Sequence, residues 1–282
     1  MSQVRSSFNK ASSIYNENAF LQNEIAKRLA EKLKVISIQP ETIIDLGSGT
    51  GFLSEKTATI FPDAQLVCID FAQRSLSMNS QKLKVCADSY QLPLKSNSVD
   101  FVVSNLMMQW CSDLKTLFDE CHRVLKPQGL ILFTTFGPET LKELKRSWSV
   151  VDSSPHVNEF IDMHDIGDQM IQSGFQSPIM EMEKLTLTYE KVLDLMRDLK
   201  GIGAQSVENR SKSLTGKTKF KKMLEMYESY RENGKIPATY EVIYGHAWKN
   251  DVKFEAISLE NLLIQLSYFK QISNSQNSIF AK

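Results

Sequence analysis

The sequence predicts an α/β fold built on a mostly parallel sheet, and three observations carry that prediction. From Glu41 to Phe136 short apolar runs alternate with helical patterns, as strands joined by crossover helices do. The run Thr42 to Leu46 breaks into a loop with glycine at 47, 49 and 51, and Phe52-Leu53-Ser54-Glu55 then opens a helix. Successive runs end in polar residues (Asp70, Asp88-Ser89 and Asn105), on the side where a parallel sheet gathers its ligand.

The glycine loop lets backbone N–H groups approach a ligand that a Cβ would push away. It also sits at the positive end of the following helix. Its spacing is acid-x-G-x-G-x-G, with Asp45 as the acid and Gly47, Ser48, Gly49 and Gly51 in the loop. A dinucleotide fingerprint would place a third glycine at position 52, which is Phe. Asp70 ends the run Gln65 to Ile69 about 20 residues downstream, where a carboxylate accepts hydrogen bonds from a ribose diol. Phe71 follows it, Asp88-Ser89 is placed to read an adenine edge, and Asn105 closes the strand Phe101 to Ser104. Each of these alone is an ordinary strand-end residue. In order, they describe a nucleotide-like ligand at the top of the sheet.

Bulk composition narrows the class. The 282 residues suffice for a full core, with 42% hydrophobic and 23% charged residues. Thirty-three basic and 33 acidic residues cancel, which argues against bulk attraction to nucleic acid or an anionic membrane. No apolar run reaches ~18 residues, so no membrane span is expected, and Met1 to Lys10 has no apolar stretch of a secretory signal. The cysteines at 68, 86, 111 and 121 form no C-x-x-C pair. Cys68 and Cys86 fall in apolar runs and read as buried thiols of a cytoplasmic protein.

Along the chain, residues 1–36 read as an N-terminal helical segment with apolar residues at helical spacing from Phe8 to Leu33. A segment ahead of the first strand can pack on the sheet edge or fold over its carboxyl end, bringing Tyr15 and Gln22 to the ligand. Residues 37–248 form the main domain. Lys126-Pro127-Gln128-Gly129 reads as a helix stop before the strand Leu130 to Phe136, and Glu139 to Val150 as a helix. Ile179 to Tyr189 and Ala238 to Trp248 alternate as strands that can pair antiparallel, leaving a helical, basic insertion at about 190–236. Residues 249–282 form a tail with one helical run and a Ser/Asn/Gln-rich end expected to be partly disordered.

The acid-x-G-x-G-x-G loop with its second acid resembles the first motifs of S-adenosylmethionine-dependent methyltransferases. Stretches outside that core are more specific: Phe133 to Leu144, His156 to Phe160 with Asp162 to Asp168, Leu195 to Ala204 and Ala238 to Trp248. With Phe8, Tyr15 and Gln22 in front, they resemble the malonyl-acyl-carrier-protein O-methyltransferase family of biotin synthesis from about Arg5 to Trp248. The resemblance implies a class I methyltransferase (Rossmann-like) fold: a seven-stranded, mostly parallel sheet with helices on both faces and a helical insertion before the last strand. It implies S-adenosylmethionine as cofactor and, as cofactor-binding residues, Tyr15, Gln22, Asp45, Gly47, Ser48, Gly49, Gly51, Asp70, Phe71, Asp88, Ser89 and Asn105. The implied substrate is a malonyl group on acyl carrier protein, methylated on its free carboxylate.

A malonyl carboxylate is ionised at neutral pH and needs no general base. His156, His164 and His246 therefore read as structural. Tyr15, Arg146, Arg197 and Lys200 are candidates to orient the carboxylate. Carrier proteins are acidic, and Asn209 to Lys222 offers Arg210, Lys212, Lys217, Lys219, Lys221 and Lys222 without an acidic residue. That run is either a solvated face or a docking face. The alternatives are a protein-modifying or respiratory-complex assembly relative of the same fold, and an RNA-directed methyltransferase. Zero net charge and Asn105-Leu106-Met107-Met108, in place of an Asn/Asp-Pro-Pro-aromatic motif, argue against the last.

Overall fold

The computed structural model describes residues 2–204 and 216–249. The elements in order are α1 (Ser2–Asn18), α2 (Phe20–Val35), β1 (Thr42–Leu46), α3 (Phe52–Ile60), β2 (Gln65–Asp70), α4 (Gln73–Met78), β3 (Leu83–Cys86) and β4 (Val99–Asn105). A 3-10 turn (Met108–Trp110) leads to α5 (Leu114–Val124), β5 (Leu125–Phe136), α6 (Lys142–Ser149), α7 (Met163–Gln172), β6 (Phe175–Tyr189), α8 (Val192–Gly201), α9 (Lys217–Glu228) and β7 (Ile236–Lys249). The seven strands form one sheet in the order β3-β2-β1-β4-β5-β7-β6, and β7 runs antiparallel to both neighbours.

Alternation along the strands divides the core into two layers. Ile43, Phe101, Val103, Leu130 and Leu132 point to one face, which α2 covers with Leu21, Ile25, Leu29 and Leu33. Ile44, Val102, Ile131 and Phe133 point to the other, covered by Leu117, Phe118 and Cys121 of α5 and Met170 of α7. Each fully buried Leu, Ile or Phe contributes about 1.5–3 kcal/mol of transfer energy, so the helices are pinned to the sheet by these rows.

The N-terminal segment is helical as expected, and three local expectations elsewhere are corrected. The 2–35 stretch is two helices, broken at Ala19, whose backbone leaves the helical region and whose side chain is buried. Residues 126–129 do not separate α5 from a later strand. The strand starts at Leu125, pairs with Val99, and resumes at Leu130 opposite Phe101 after bulging outward. Helix α6 begins at Lys142 because Leu141 takes φ +56° while its N–H donates to the Thr239 carbonyl at 2.7 Å. Cys86 is exposed, since β3 is an edge strand left largely uncovered, whereas Cys68 is buried; all four cysteines are free thiols. Helices α8 and α9 lie between β6 and β7, within the expected insertion. Arg210, Lys212 and the expected disordered tail beyond Lys249 lie outside the described residues.

Candidate active site

The carboxyl ends of β1, β2 and β4 surround a cleft of about 780 Å³. Gly47, Gly49 and Thr50 form its floor, Asp70 and Phe71 one side, and Asp88, Ser89 and Asn105 the rim. Gly47 (φ +74°) and Gly49 (φ +52°) both need the left-handed region, which any other residue enters at a cost of about 1–2 kcal/mol. A Cβ at Gly49 would meet nothing within 4 Å and would project into open space. One at Gly47 would lie 2.2 Å from Met107 Cγ, so Gly47 exists for the close approach of the 107 turn.

Asp70 is 8% exposed, and its two oxygens accept the N–H groups of Gly49 (2.8 Å) and Ala72 (2.7 Å). Burial pushes its carboxyl pKa up, and these two hydrogen bonds pull it back. Each oxygen keeps a lone pair for a ligand hydroxyl. Asp45 stands behind the loop rather than in the cleft wall. Its Oδ2 accepts from Ser54 Oγ at 2.5 Å, while its Oδ1 is buried without a partner among the described residues. Burial raises its pKa to about 7, against the pull of Ser54. Ser48 Oγ is likewise buried and unpartnered, and Gly51 packs against the Asn79 side chain, 2.9 Å from where a Cβ would be. Ser48 and Gly51 shape the loop from behind, like Asp45; Tyr15, Gly47, Gly49, Asp70, Phe71, Asp88, Ser89 and Asn105 face the cleft.

Helix α1 lies across this opening. Asn16 Oδ1 accepts from Thr50 Oγ1 at 2.7 Å, Asn9 Oδ1 accepts the Arg74 N–H at 3.0 Å, and Phe8 meets Trp110 edge-on at 5.2 Å. Tyr15 stacks on Phe52 with ring centres 6.3 Å apart. Desolvation, with the Asp70 charge second, pushes the Tyr15 phenol far above its ordinary pKa. Sequence reasoning missed Thr50, although it lies between two marked glycines, and Phe8 as a lining residue.

A second chamber adjoins the first. Phe8, Tyr15, Leu106 and Trp110 line both, and the second is completed by Gln22, Gln109, Phe136, Leu141, His156, Asn158, Tyr240 and residues of α8. Gln22 belongs to this chamber, and its backbone carbonyl accepts from Asn105 Nδ2 at 3.0 Å. Leu106 (φ +50°) and Leu141 (φ +56°) are buried non-glycine residues in the left-handed region, both on the chamber wall. Strain of that kind concentrates at sites that bind or react. Sequence reasoning missed it, because leucine does not mark a turn.

The remaining candidates lie further out. Arg146 and Lys200 are exposed and line neither space, and Arg197 pairs with Asp194 at 2.5 Å on the surface. His156 stacks on Trp148 at 3.6 Å, its Nε2 2.8 Å from Asp152. His156 and then Lys219 hold the Asp152 carboxyl down at about 2. His164 pairs with Asp162 at 2.7 Å, and burial on β7 pushes the His246 pKa down. Lys217, Lys219, Lys221 and Lys222 are exposed on α9, which packs on α6 through Trp148 and Phe220. Among the described residues no helix is long and apolar enough to cross a membrane, and no group of three His, Cys, Asp or Glu is placed to hold a metal.

The cleft's donor set suits a nucleoside-type cofactor carrying hydroxyls and positive charge. It offers two carboxylates, a glycine floor and apolar walls, and among the described residues no lysine or arginine lines it. Residues 44–133 match the methyltransferase domain family. The sheet superposes on the YcgJ protein of Bacillus subtilis with TM-score 0.59 at 13% identity, covering 80% of this chain and all of that one. A Bacillus halodurans protein gives 0.57 at 16% identity over 80% of this chain and 98% of the other. These likenesses establish the class I methyltransferase fold. A malonyl-acyl-carrier-protein O-methyltransferase of Gallionella capsiferriformans is 47% identical over 260 residues, 87% of this chain and 90% of the relative. The chain belongs to that family. Family members from Nitrosospira multiformis (44% identity, 88% of each chain) and Coxiella burnetii (43%, 87% of this chain and 86% of the relative) align over nearly the same length. In this family member the alignments reach well beyond the methyltransferase-domain match, so they take in elements around the second chamber as well as the cleft.

Proposed function

We propose that this protein transfers a methyl group from S-adenosylmethionine to the free carboxylate of a malonyl group carried by acyl carrier protein. The observation that carries the reading, beside family membership, is the junction at Tyr15, Leu106 and Trp110, residues that line both the cleft and the adjoining chamber. The bound cofactor supplies an electrophilic methyl on a positively charged sulfur. Asp70 would accept the ribose hydroxyls, Asp88 and Ser89 would hold the adenine, and the Gly47–Gly49 backbone would hold the remaining part. The Asp45–Ser54 pair fixes the loop from behind. Phe8 and Tyr15 close the junction to water, which strips solvent from the carboxylate and aligns it with the methyl. Alignment of this kind supplies up to ~7–11 kcal/mol. No base is needed, in keeping with His156 being committed to Asp152 and Trp148. The ester hides a charge that would stop chain-elongating enzymes from accepting the acyl group, and the reaction belongs in the cytoplasm, where carrier protein is charged.

Incubation with methyl-labelled cofactor tests the reaction. Label should move to malonyl-loaded carrier protein and be released by mild base as from an ester. Label recovered in arginine or nucleic acid would contradict it. Two further results are expected. Gly49→Ala should lower cofactor affinity tenfold or more at a stability cost of only about 1–2 kcal/mol, since its methyl enters the cleft without a clash. Gly47→Ala should instead lower the melting temperature, because Met107 stands in the way. Calorimetry and thermal melts on the two variants separate these outcomes, and identical behaviour would remove the distinction. The second result concerns docking of the acidic carrier protein on α9, with Arg210 and Lys212 of the sequence that precedes it. Reversing Lys219, Lys221 and Lys222 to Glu should raise KM for malonyl carrier protein about tenfold and leave malonyl-coenzyme A nearly unchanged. An equal effect on both substrates would reject α9 as the docking face.

A further inference from the structure

The chamber that receives the reacting carboxylate has no lysine, arginine, aspartate or glutamate in its wall among the described residues, and its histidine, His156, is already committed to Asp152 at 2.8 Å. Nearby cations are engaged elsewhere. Arg28 pairs with Glu24 and Glu183, Lys32 with Glu181, and Arg197 with Asp194. Lys145 donates to the Pro138 carbonyl at 3.0 Å, lies over the Phe160 ring, and lines the outer groove instead. Three donors in the chamber wall are different. The Tyr15 hydroxyl, the Gln22 carboxamide and the Trp110 indole N–H have no hydrogen-bond partner among the described residues. Gln22 is only 8% exposed. The adjacent Gln109, by contrast, is spent on the Leu106 carbonyl (2.8 Å) and Thr135 (3.3 Å).

Burying a carboxylate is costly unless its oxygens are hydrogen-bonded and its charge is balanced. Neutral donors meet the first requirement and leave the second. Resting on the function proposed above, we infer that Tyr15, Gln22 and Trp110 position the substrate carboxylate without a protein cation, and that the positive sulfur of the bound cofactor is its counter-charge. The chamber then holds the acid well only while that charge is present. Transfer forms a carbon–oxygen bond and breaks the carbon–sulfur bond, and the bonding pair stays on sulfur. The carboxylate becomes a neutral ester, the sulfur a neutral thioether, and no proton moves. Both charges vanish together, so the wall keeps no reason to retain the product. A fixed guanidinium would do the opposite, holding the charged acid more tightly than the charge-neutralising transition state. The raised pKa of Tyr15 keeps its hydroxyl a donor throughout the neutral range.

The test is a binding measurement on the full chain. Malonyl carrier protein is titrated into protein loaded with S-adenosylhomocysteine, whose sulfur is neutral, or with sinefungin, which carries an ammonium in place of the methylsulfonium. Affinity should be at least tenfold tighter in the sinefungin complex, and the methyl ester should bind both forms equally. Gln22→Leu, which touches the chamber but not the cofactor cleft, should lose malonyl affinity in the sinefungin complex while sinefungin itself binds as before. Equal malonyl affinity in the two loaded forms overturns the inference. So does loss of malonyl-coenzyme A affinity on Arg210→Gln or Lys212→Gln while the methyl ester of malonyl-coenzyme A binds as before, which would place a protein cation on the carboxylate. Methylation without sensitivity to cofactor charge rejects this inference alone, whereas no methylation with the natural cofactor rejects the function it rests on.

Discussion

Asp45→Asn should flatten the pH dependence of stability of the cofactor-free protein between about pH 4 and pH 7. In the folded state burial raises the Asp45 pKa to about 7, while an unfolded aspartate titrates near 3.9. Between those values the native state binds more protons than the unfolded one, so stability falls as pH rises. The full penalty is absent below about pH 4, grows through the window and is constant above about 7. A shift of about three units corresponds to roughly 4 kcal/mol, an order-of-magnitude figure for a fully buried group. Asparagine is neutral throughout and can still accept the Ser54 hydrogen bond, so the variant should gain stability mainly at neutral pH. Chemical denaturation at pH 4.5 and 7.5 reads the difference directly. Parallel curves for the two proteins would mean that Asp45 does not titrate in this window.

Asp70→Ala should weaken cofactor binding by about 1.5–3 kcal/mol, the scale of hydrogen bonds to a charged group, or ~10–150-fold in Kd. The same carboxylate orders the glycine loop through the Gly49 N–H and the next turn through the Ala72 N–H, so binding enthalpy should fall as well. Asp88→Ala is the control. Asp88 is exposed and caps its own turn through the Tyr90 N–H at 3.0 Å, so its loss should cost less than half as much. Isothermal calorimetry decides between them, and an unchanged affinity for the Asp70 variant would remove that residue from the site.

The frame of the molecule was readable because its signals are local and periodic. Thr42 to Gly51 carries its strand, turn and helix start within ten residues, and the alternation to Phe136 allows few other sheets. The antiparallel β6–β7 pair was visible in the period-2 patterns of 179–189 and 238–248, although its extension to Phe175 and Lys249 was not. What escaped depends on distant packing. Gln22 was assigned beside the cofactor by its place in the N-terminal pattern, but the packing of α2 turns it to the second chamber. Arg146 and Arg197 have the right chemistry for a carboxylate, and only the rotation of α6 and α8 puts them outside. The left-handed leucines at 106 and 141 are imposed by Thr134 and Thr239 from other strands, and no window of sequence contains both partners.

Intact-mass spectrometry of malonyl carrier protein, incubated with this protein and S-adenosylmethionine, tests the central claim most directly. The account predicts a gain of one methyl group on the malonyl form and none when the acyl group is acetyl, which lacks the free carboxylate. Cofactor bound with no gain on either form, or an equal gain on both, would contradict carboxyl methylation.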